Sequence, residues 1–176
     1  DVLDPTVLEL LSAVRREDFV PLAHKALAFM DMEVPLPGGE CMLAPRVEAR
    51  LLQDLKVQPH EKVLEVGGGS GYMAALLAHR AQRVISLELN PELVQMARAN
   101  LQKAGITNAE VREGDGAKDV SVDGPFDVIL LSGSVAEVPK ALLATIAKQA
   151  EQRRAGFGPA STARPRPSAW REDARP

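Results

Sequence analysis

Hydrophobic positions change their spacing at Lys62, which divides the chain into an irregular approach and a regular core. Val7, Leu10, Leu11 and Val14 recur at helical intervals behind Asp4-Pro5, an N-cap followed by a first-turn proline, and predict a short amphipathic helix. Pro21, Pro35, Pro37 and Gly38-Gly39 interrupt the region 20–44, leaving room for one short helix from Leu22 to Phe29. After Pro45, the residues Val47, Leu51 and Leu55 predict one face of a helix that stops before Pro59. From Lys62 strands and helices alternate: strand Lys62 to Val66, an apolar helix Gly71 to Ala81, and strand Arg83 to Leu89. Asn90-Pro91-Glu92 then supplies an N-cap, a first-turn proline and an early acid. The following helix buries Leu93, Val94, Ala97, Leu101 and Ala104 and closes at Gly105. A third strand spans Ala109 to Glu113, and a fourth, Phe126 to Leu131, is the continuous apolar run of a strand covered on both faces. Leu142, Leu143, Ile146 and Ala147 predict a last helix starting near Pro139.

Right-handed crossovers place these strands in one parallel sheet with helices on both faces, an α/β fold of the Rossmann-like kind. The strand ends carry Gly67, Glu88, Asp115 and Ser132, so the ligand crevice is expected along that edge.

The segment Val63-Leu64-Glu65-Val66-Gly67-Gly68-Gly69-Ser70-Gly71-Tyr72 is the candidate nucleoside loop. A backbone turning from strand into helix close against a ligand has no room for a Cβ and often needs positive φ, which suits Gly67, Gly69 and Gly71. A dinucleotide loop reads Gly-x-Gly-x-x-Gly or Ala, whereas here the last position is Tyr72. The spacing is instead Gly-x-Gly-x-Gly, which resembles the first motif of S-adenosylmethionine-dependent methyltransferases. Glu88 lies 21 positions after Gly67 and carries a carboxylate that can accept from both ribose hydroxyls. The competing reading is a glycine-rich turn of any α/β protein.

Length and composition narrow the choice. The 176 residues suit one domain with its own core. A net charge of -3, with no basic patch before residue 150, speaks against a nucleic-acid binder. Cys41 is the single cysteine and cannot form an internal disulfide, and His24, His60 and His79 stand too far apart for a zinc cluster, so no metal is expected. No apolar run approaches the roughly 20 residues of a membrane span, and no signal-peptide pattern opens the chain. A cytoplasmic protein is expected, although the first residue is Asp1 rather than Met. From Lys148 to Pro176 there is no Leu, Ile, Val or Met, and Arg, Ala and Pro dominate, which predicts disorder. This tail reads as a basic interaction segment, as a solvated linker, or as a C-terminus replaced through a frameshift.

A more specific resemblance joins several of these segments. Arg15-Arg16-Glu17-Asp18-Phe19-Val20-Pro21, Val34-Pro35-Leu36, Val63 to Tyr72, Gly114-Asp115-Gly116, Pro125-Phe126-Asp127 and Val138-Pro139 together resemble the protein-L-isoaspartate O-methyltransferases over residues 3 to 147. The resemblance implies S-adenosyl-L-methionine as cofactor. Gly67, Gly69 and Gly71 would line its methionine and ribose, with Glu65 beneath the amino end and Glu88 on the ribose. Asp115, beside Gly116, would accept from the adenine amine. The implied activity is methyl transfer to the α-carboxylate of L-isoaspartyl residues in damaged proteins, by a monomer with no nucleic-acid or membrane partner.

The family's acceptor loop, Thr-Ile-Ser-x-Pro, is replaced here by Cys41-Met42-Leu43-Ala44-Pro45. Pro45 matches, Cys41 stands at the Thr position, and Leu43 stands where the family has its catalytic Ser. The family also continues past the fourth strand with a Gly-Gly-x-Leu strand and a hairpin, where this chain has its polar tail. These departures predict less than full activity. They also keep open a methyltransferase with a different acceptor and a non-enzymatic binder of the cofactor. The expected division is 1–45, an N-terminal helical and acceptor-loop region, 46–147, the cofactor-binding domain, and 148–176, the tail.

Overall fold

The computed structural model describes residues 4–116, 124–133 and Leu142. The predicted helix from Pro139, apart from Leu142, and the predicted tail lie outside the described residues. The approach segment opens with helix α1, Pro5–Ala13, capped by the Asp4 side chain, which accepts from the Thr6 backbone N–H at 2.9 Å. One 3-10 turn at Arg16–Asp18 and a six-residue 3-10 helix at Leu22–Leu27 follow, so the predicted helix from Leu22 to Phe29 is tighter and shorter than expected. Two short strands, β1 at Val34–Pro35 and β2 at Cys41–Met42, pair antiparallel and fix the expected acceptor loop as the second arm of a small hairpin.

Helix α2, Pro45–Leu55, leads to the core. There β3, Lys62–Val66, is followed by α3, Tyr72–Ala78, β4, Arg83–Glu88, α4, Pro91–Lys103, β5, Ala109–Glu113, and β6, Val128–Leu131. The sheet order is β5-β4-β3-β6, with every pairing parallel. The chain therefore leaves β3 to build outward on one side and returns to its other side with β6. That reversal opens a crevice at the carboxyl ends of β3 and β6.

Strand alternation sorts the core into two faces. Val63, Val84, Val111 and Leu130 face one cluster that also takes the buried residues of α1 to α4. Leu64, Ile85 and Leu87 face the other, where Phe126 and the helical Leu142 cover them. All seven residues of α3 are buried, so this helix forms the centre of the first cluster. No helix among the described residues is long and apolar enough to cross a membrane.

Four predicted boundaries shift. The helix after the glycine loop runs from Tyr72 to Ala78, inside the predicted Gly71–Ala81. Strand β4 ends at Glu88, leaving Leu89 67% exposed. The fourth strand begins at Val128, because Phe126 lies before it as a cover for the second face. Helix α4 stops at Lys103, so Ala104 is an exposed cap residue rather than part of the buried face.

Helix α2 departs from its predicted face for a chemical reason. Val47 is 44% exposed, and Glu48, Ala49 and Leu52 are buried instead. Glu48 can turn inward because Arg16, itself 4% exposed, pairs with its carboxylate. The same guanidinium donates to the Leu43 carbonyl at 2.7 Å and lies over the Tyr72 ring, 5.1 Å from its centre. Removing one member of a buried pair leaves a desolvated charge without compensation. Arg16→Ala is expected to lose about 3 kcal/mol or more, measured as a lower urea midpoint with an unchanged slope.

Candidate functional site

The crevice is built around Gly67, the residue that follows β3. Its φ is 91° and a Cβ would sit 2.5 Å from the backbone N of Gly133, two residues past the end of β6, so neither conformation nor space admits a side chain. The Val66 carbonyl accepts from the N–H groups of Ser132 and Gly133, which holds the ends of β3 and β6 together at the reversal point. Gly69 and Gly71 also have positive φ. At Gly71 a Cβ would meet Ala97 of α4 at 3.1 Å, so this glycine serves the close packing of α3 on α4.

Glu88 ends β4 beside this loop. One carboxylate oxygen accepts from the Gly69 N–H at 2.8 Å and the other from the Asn90 N–H at 2.9 Å. Each oxygen retains a second lone pair, so the side chain fixes the loop and can still accept from a diol. Its own carbonyl accepts from the Gly114 N–H, which brings the Gly114-Asp115-Gly116 turn to the same edge. Asp115 there is half-buried, and buried Gly116 packs so closely on the Val66 side chain that no Cβ fits.

Glu65 lies deeper, with no exposure. Ser86 Oγ donates to it at 2.6 Å and Ser132 Oγ at 2.9 Å. Burial pushes its carboxyl up to about 7 against these two hydrogen bonds, and the charge of Glu88 adds to the rise. Glu48 is likewise pushed up by burial, with Arg16 pulling the other way. A narrow cleft of about 30 Å³ joins the two acids to the acceptor hairpin. Cys41, Met42 and Leu43 line it together with Gly67, Gly68 and Gly69. Cys41 is exposed, and partial burial of its thiol followed by the charge of Glu33 raises it, so it stands there as a neutral thiol. Pro45 occupies the first turn of α2 just beyond this loop. Larger grooves, of about 450 and 430 Å³, run along α4 and β5 and around Lys62 and Arg83, away from the strand ends that carry these groups.

Residues 2–149 match the family model for protein-L-isoaspartate(D-aspartate) O-methyltransferase. The chain belongs to this family. The methyltransferase of that name from Koribacter versatilis is 38% identical over 147 residues, 84% of this chain and 66% of the relative. One from Syntrophobacter fumaroxidans is 41% identical over 145 residues, 82% of this chain and 68% of the relative. The chain thus spans about two thirds of the length of the curated relatives it matches. A solved protein-L-isoaspartate O-methyltransferase superposes with a TM-score of 0.68 at 27% identity, covering 82% of this chain and 48% of that one. A second, from Plasmodium falciparum and solved with S-adenosyl-L-homocysteine, gives 0.71 at 22% identity, covering 82% and 73%, and shows the shared fold. The Rossmann-like methyltransferase architecture expected from the sequence is thereby established.

Of the residues the sequence singled out, one cleft gathers Glu65, Gly67, Gly69, Cys41, Met42 and Leu43. Glu88 adjoins it through Gly69, while Gly71 and Gly116 occupy packing positions. Sequence reasoning missed Arg16, Glu48 and Ser86. Arg16 lay in plain view inside the family segment Arg15 to Pro21, but nothing in helical spacing marked Glu48 as its partner.

Two outcomes follow from this geometry. Gly67→Ala forces a Cβ into the Gly133 backbone and an L-residue into positive φ, and is expected to cost about 2 kcal/mol or more by chemical denaturation. Glu65 ionises near 4.5 in the unfolded chain and near 7 in the folded one, so between these values the folded state holds more protons. The Glu65 contribution to stability therefore falls as pH rises through that window and is constant above it, while Glu48, pushed up to about 8, adds a fall of its own that extends further. Glu65→Gln is expected to remove the Glu65 component, seen as a smaller difference in urea midpoint between about pH 5 and about pH 7.5.

Proposed function

We propose that this protein binds S-adenosyl-L-methionine across the ends of β3, β4 and β5 and transfers its methyl group to the α-carboxylate of L-isoaspartyl residues in damaged proteins. The family match over residues 2–149 carries this reading. The residues suit the cofactor: a loop without side chains at Gly67, a diol acceptor at Glu88, and buried carboxyls at Glu65 and Glu48 for a cationic end. Asp115 takes the adenine amine, and exposed Leu89, next to Glu88, offers an apolar face to the ring. A monomeric cytoplasmic enzyme without nucleic-acid or membrane partners belongs to this reading.

The bound cofactor supplies an electrophilic methyl on a sulfonium. An acceptor carboxylate is already ionised at neutral pH, so the chain needs no strong base. What the residues contribute is placement: the β1–β2 hairpin holds Cys41 to Leu43 against the glycine loop, and Arg16 fixes the Leu43 carbonyl. Leu43 cannot donate a hydrogen bond to the incoming carboxylate. This one position favours a second reading, a methyltransferase for a smaller, more apolar acceptor.

Incubation with methyl-labelled cofactor and an isoaspartyl peptide tests the proposal. Base-labile methyl ester on that peptide, and none on its aspartyl isomer, is the expected result. Label appearing only on an apolar acceptor selects the second reading. Leu43→Ser restores a hydroxyl and is expected to raise the isoaspartyl rate about tenfold, the scale of one added hydrogen bond in the transition state.

A further inference from the structure

Leu43 leaves the acceptor loop without a strong side-chain donor for an incoming carboxylate, so the donor has to come from elsewhere in the cleft. Among the described residues, the hydroxyls that line this cleft belong to Ser70, Tyr72 and Ser132. Ser70 and Tyr72 are each 3% exposed, and the Tyr72 hydroxyl lies against the Val14 carbonyl at 3.5 Å. The Cys41 thiol is a weak donor already engaged with the Glu33 carboxylate. Ser132 differs from all of these. It is half-buried and lines the same cleft as Cys41, Met42 and Leu43. Its backbone N–H donates to the Val66 carbonyl at 2.9 Å, which pins the residue where β3 and β6 end. Its Oγ lies 2.9 Å from a carboxylate oxygen of Glu65, so the side chain is held as well as the backbone.

A serine hydroxyl carries one hydrogen, which it directs to one acceptor at a time. In the structure Ser132 gives it to Glu65. Glu65 does not depend on that donor alone, because Ser86 Oγ serves its other oxygen at 2.6 Å. With the cofactor's ammonium beside Glu65, the carboxylate gains a donor of full charge. Rotation about Cβ–Oγ then turns the Ser132 hydrogen into the cleft without moving a heavy atom. We infer that Ser132 is an acceptor-binding residue, whose Oγ–H donates to the α-carboxylate of the isoaspartyl residue and supplies the donor that Leu43 cannot. This inference rests on the function proposed above and names a residue for its second substrate. The carboxylate oxygen left unheld is the one that reacts. Its new bond to the methyl carbon forms as the carbon–sulfur bond breaks, and the electron pair of that bond stays on sulfur, which becomes a neutral thioether. No proton moves, so Ser132 keeps its hydrogen throughout and contributes placement.

Calorimetry on the protein loaded with S-adenosylhomocysteine, with an isoaspartyl peptide as titrant, tests the contact. Ser132→Ala is expected to weaken the peptide about tenfold, the scale of one charge-assisted hydrogen bond, and to leave S-adenosylhomocysteine itself within about twofold. Steady-state rates are expected to show the same loss as a raised KM for the peptide. Ser132→Thr keeps a hydroxyl at this point and is expected to hold the peptide within about twofold of the unaltered protein. Where thermal melting shows that the alanine variant does not fold, Ser132→Cys takes its place. A thiol fills the same space and is a weak donor, and the same selective loss is expected. Equal losses for peptide and S-adenosylhomocysteine reveal general damage to the cleft and overturn the inference. So does a threonine variant that binds the peptide no better than the alanine variant. Unchanged peptide binding in the alanine variant overturns it as well and leaves the proposed function standing. An unaltered protein that binds S-adenosylhomocysteine but no isoaspartyl peptide removes the acceptor reading and this contact together.

Discussion

A carboxylate stays inside a protein only where donors and counter-charge are at hand, and Arg16 supplies both to Glu48. The consequences spread from there. With Glu48 turned inward, α2 presents Ala49 and Leu52 to the core and leaves Val47 outside. With Arg16 buried, its second nitrogen reaches the Leu43 carbonyl, and its plane rests on Tyr72 at the start of α3. One side chain from the N-terminal segment therefore registers the acceptor loop against the helix that follows the glycine loop. Such a link suits a reaction that depends on the alignment of two substrates rather than on a strong acid or base.

The acids of the crevice are kept in three different environments. Glu88 receives backbone N–H groups that fix the loop around it, Glu65 receives hydroxyls from β4 and from the end of β6, and Glu48 receives a guanidinium. These solutions leave different capacities open to a ligand. Glu88 keeps a further lone pair on each oxygen for a diol, whereas Glu48 and Glu65 are carboxyls whose ionisation burial opposes. The arrangement gives polarity to the crevice, with neutral donors to be met near β4 and a cation deeper, beside β3.

The sheet was legible because its strands are short apolar runs bounded by turn residues. Lys62 to Val66 and Ala109 to Glu113 were read to the residue. Boundaries drifted where burial outlasts a strand, as at Phe126, or where an apolar residue is left in solvent, as at Leu89. The glycine loop was legible because positive φ and close approach leave few residue types to choose from. The Arg16–Glu48 pair was not, since it joins residues 32 positions apart and places charge where spacing expected an apolar face. Leu43 was visible as a departure from the family loop, but its carbonyl contact to Arg16 belongs to the backbone, on which side-chain patterns are silent.

The most direct test of the central claim is a crystal structure of the protein with S-adenosylhomocysteine. The account predicts the ribose hydroxyls on Glu88, the adenine amine on Asp115, and the ammonium beside Glu65. Ligand density along the groove between α4 and β5, or a nucleoside held at the strand ends without contact to Glu88, would contradict it.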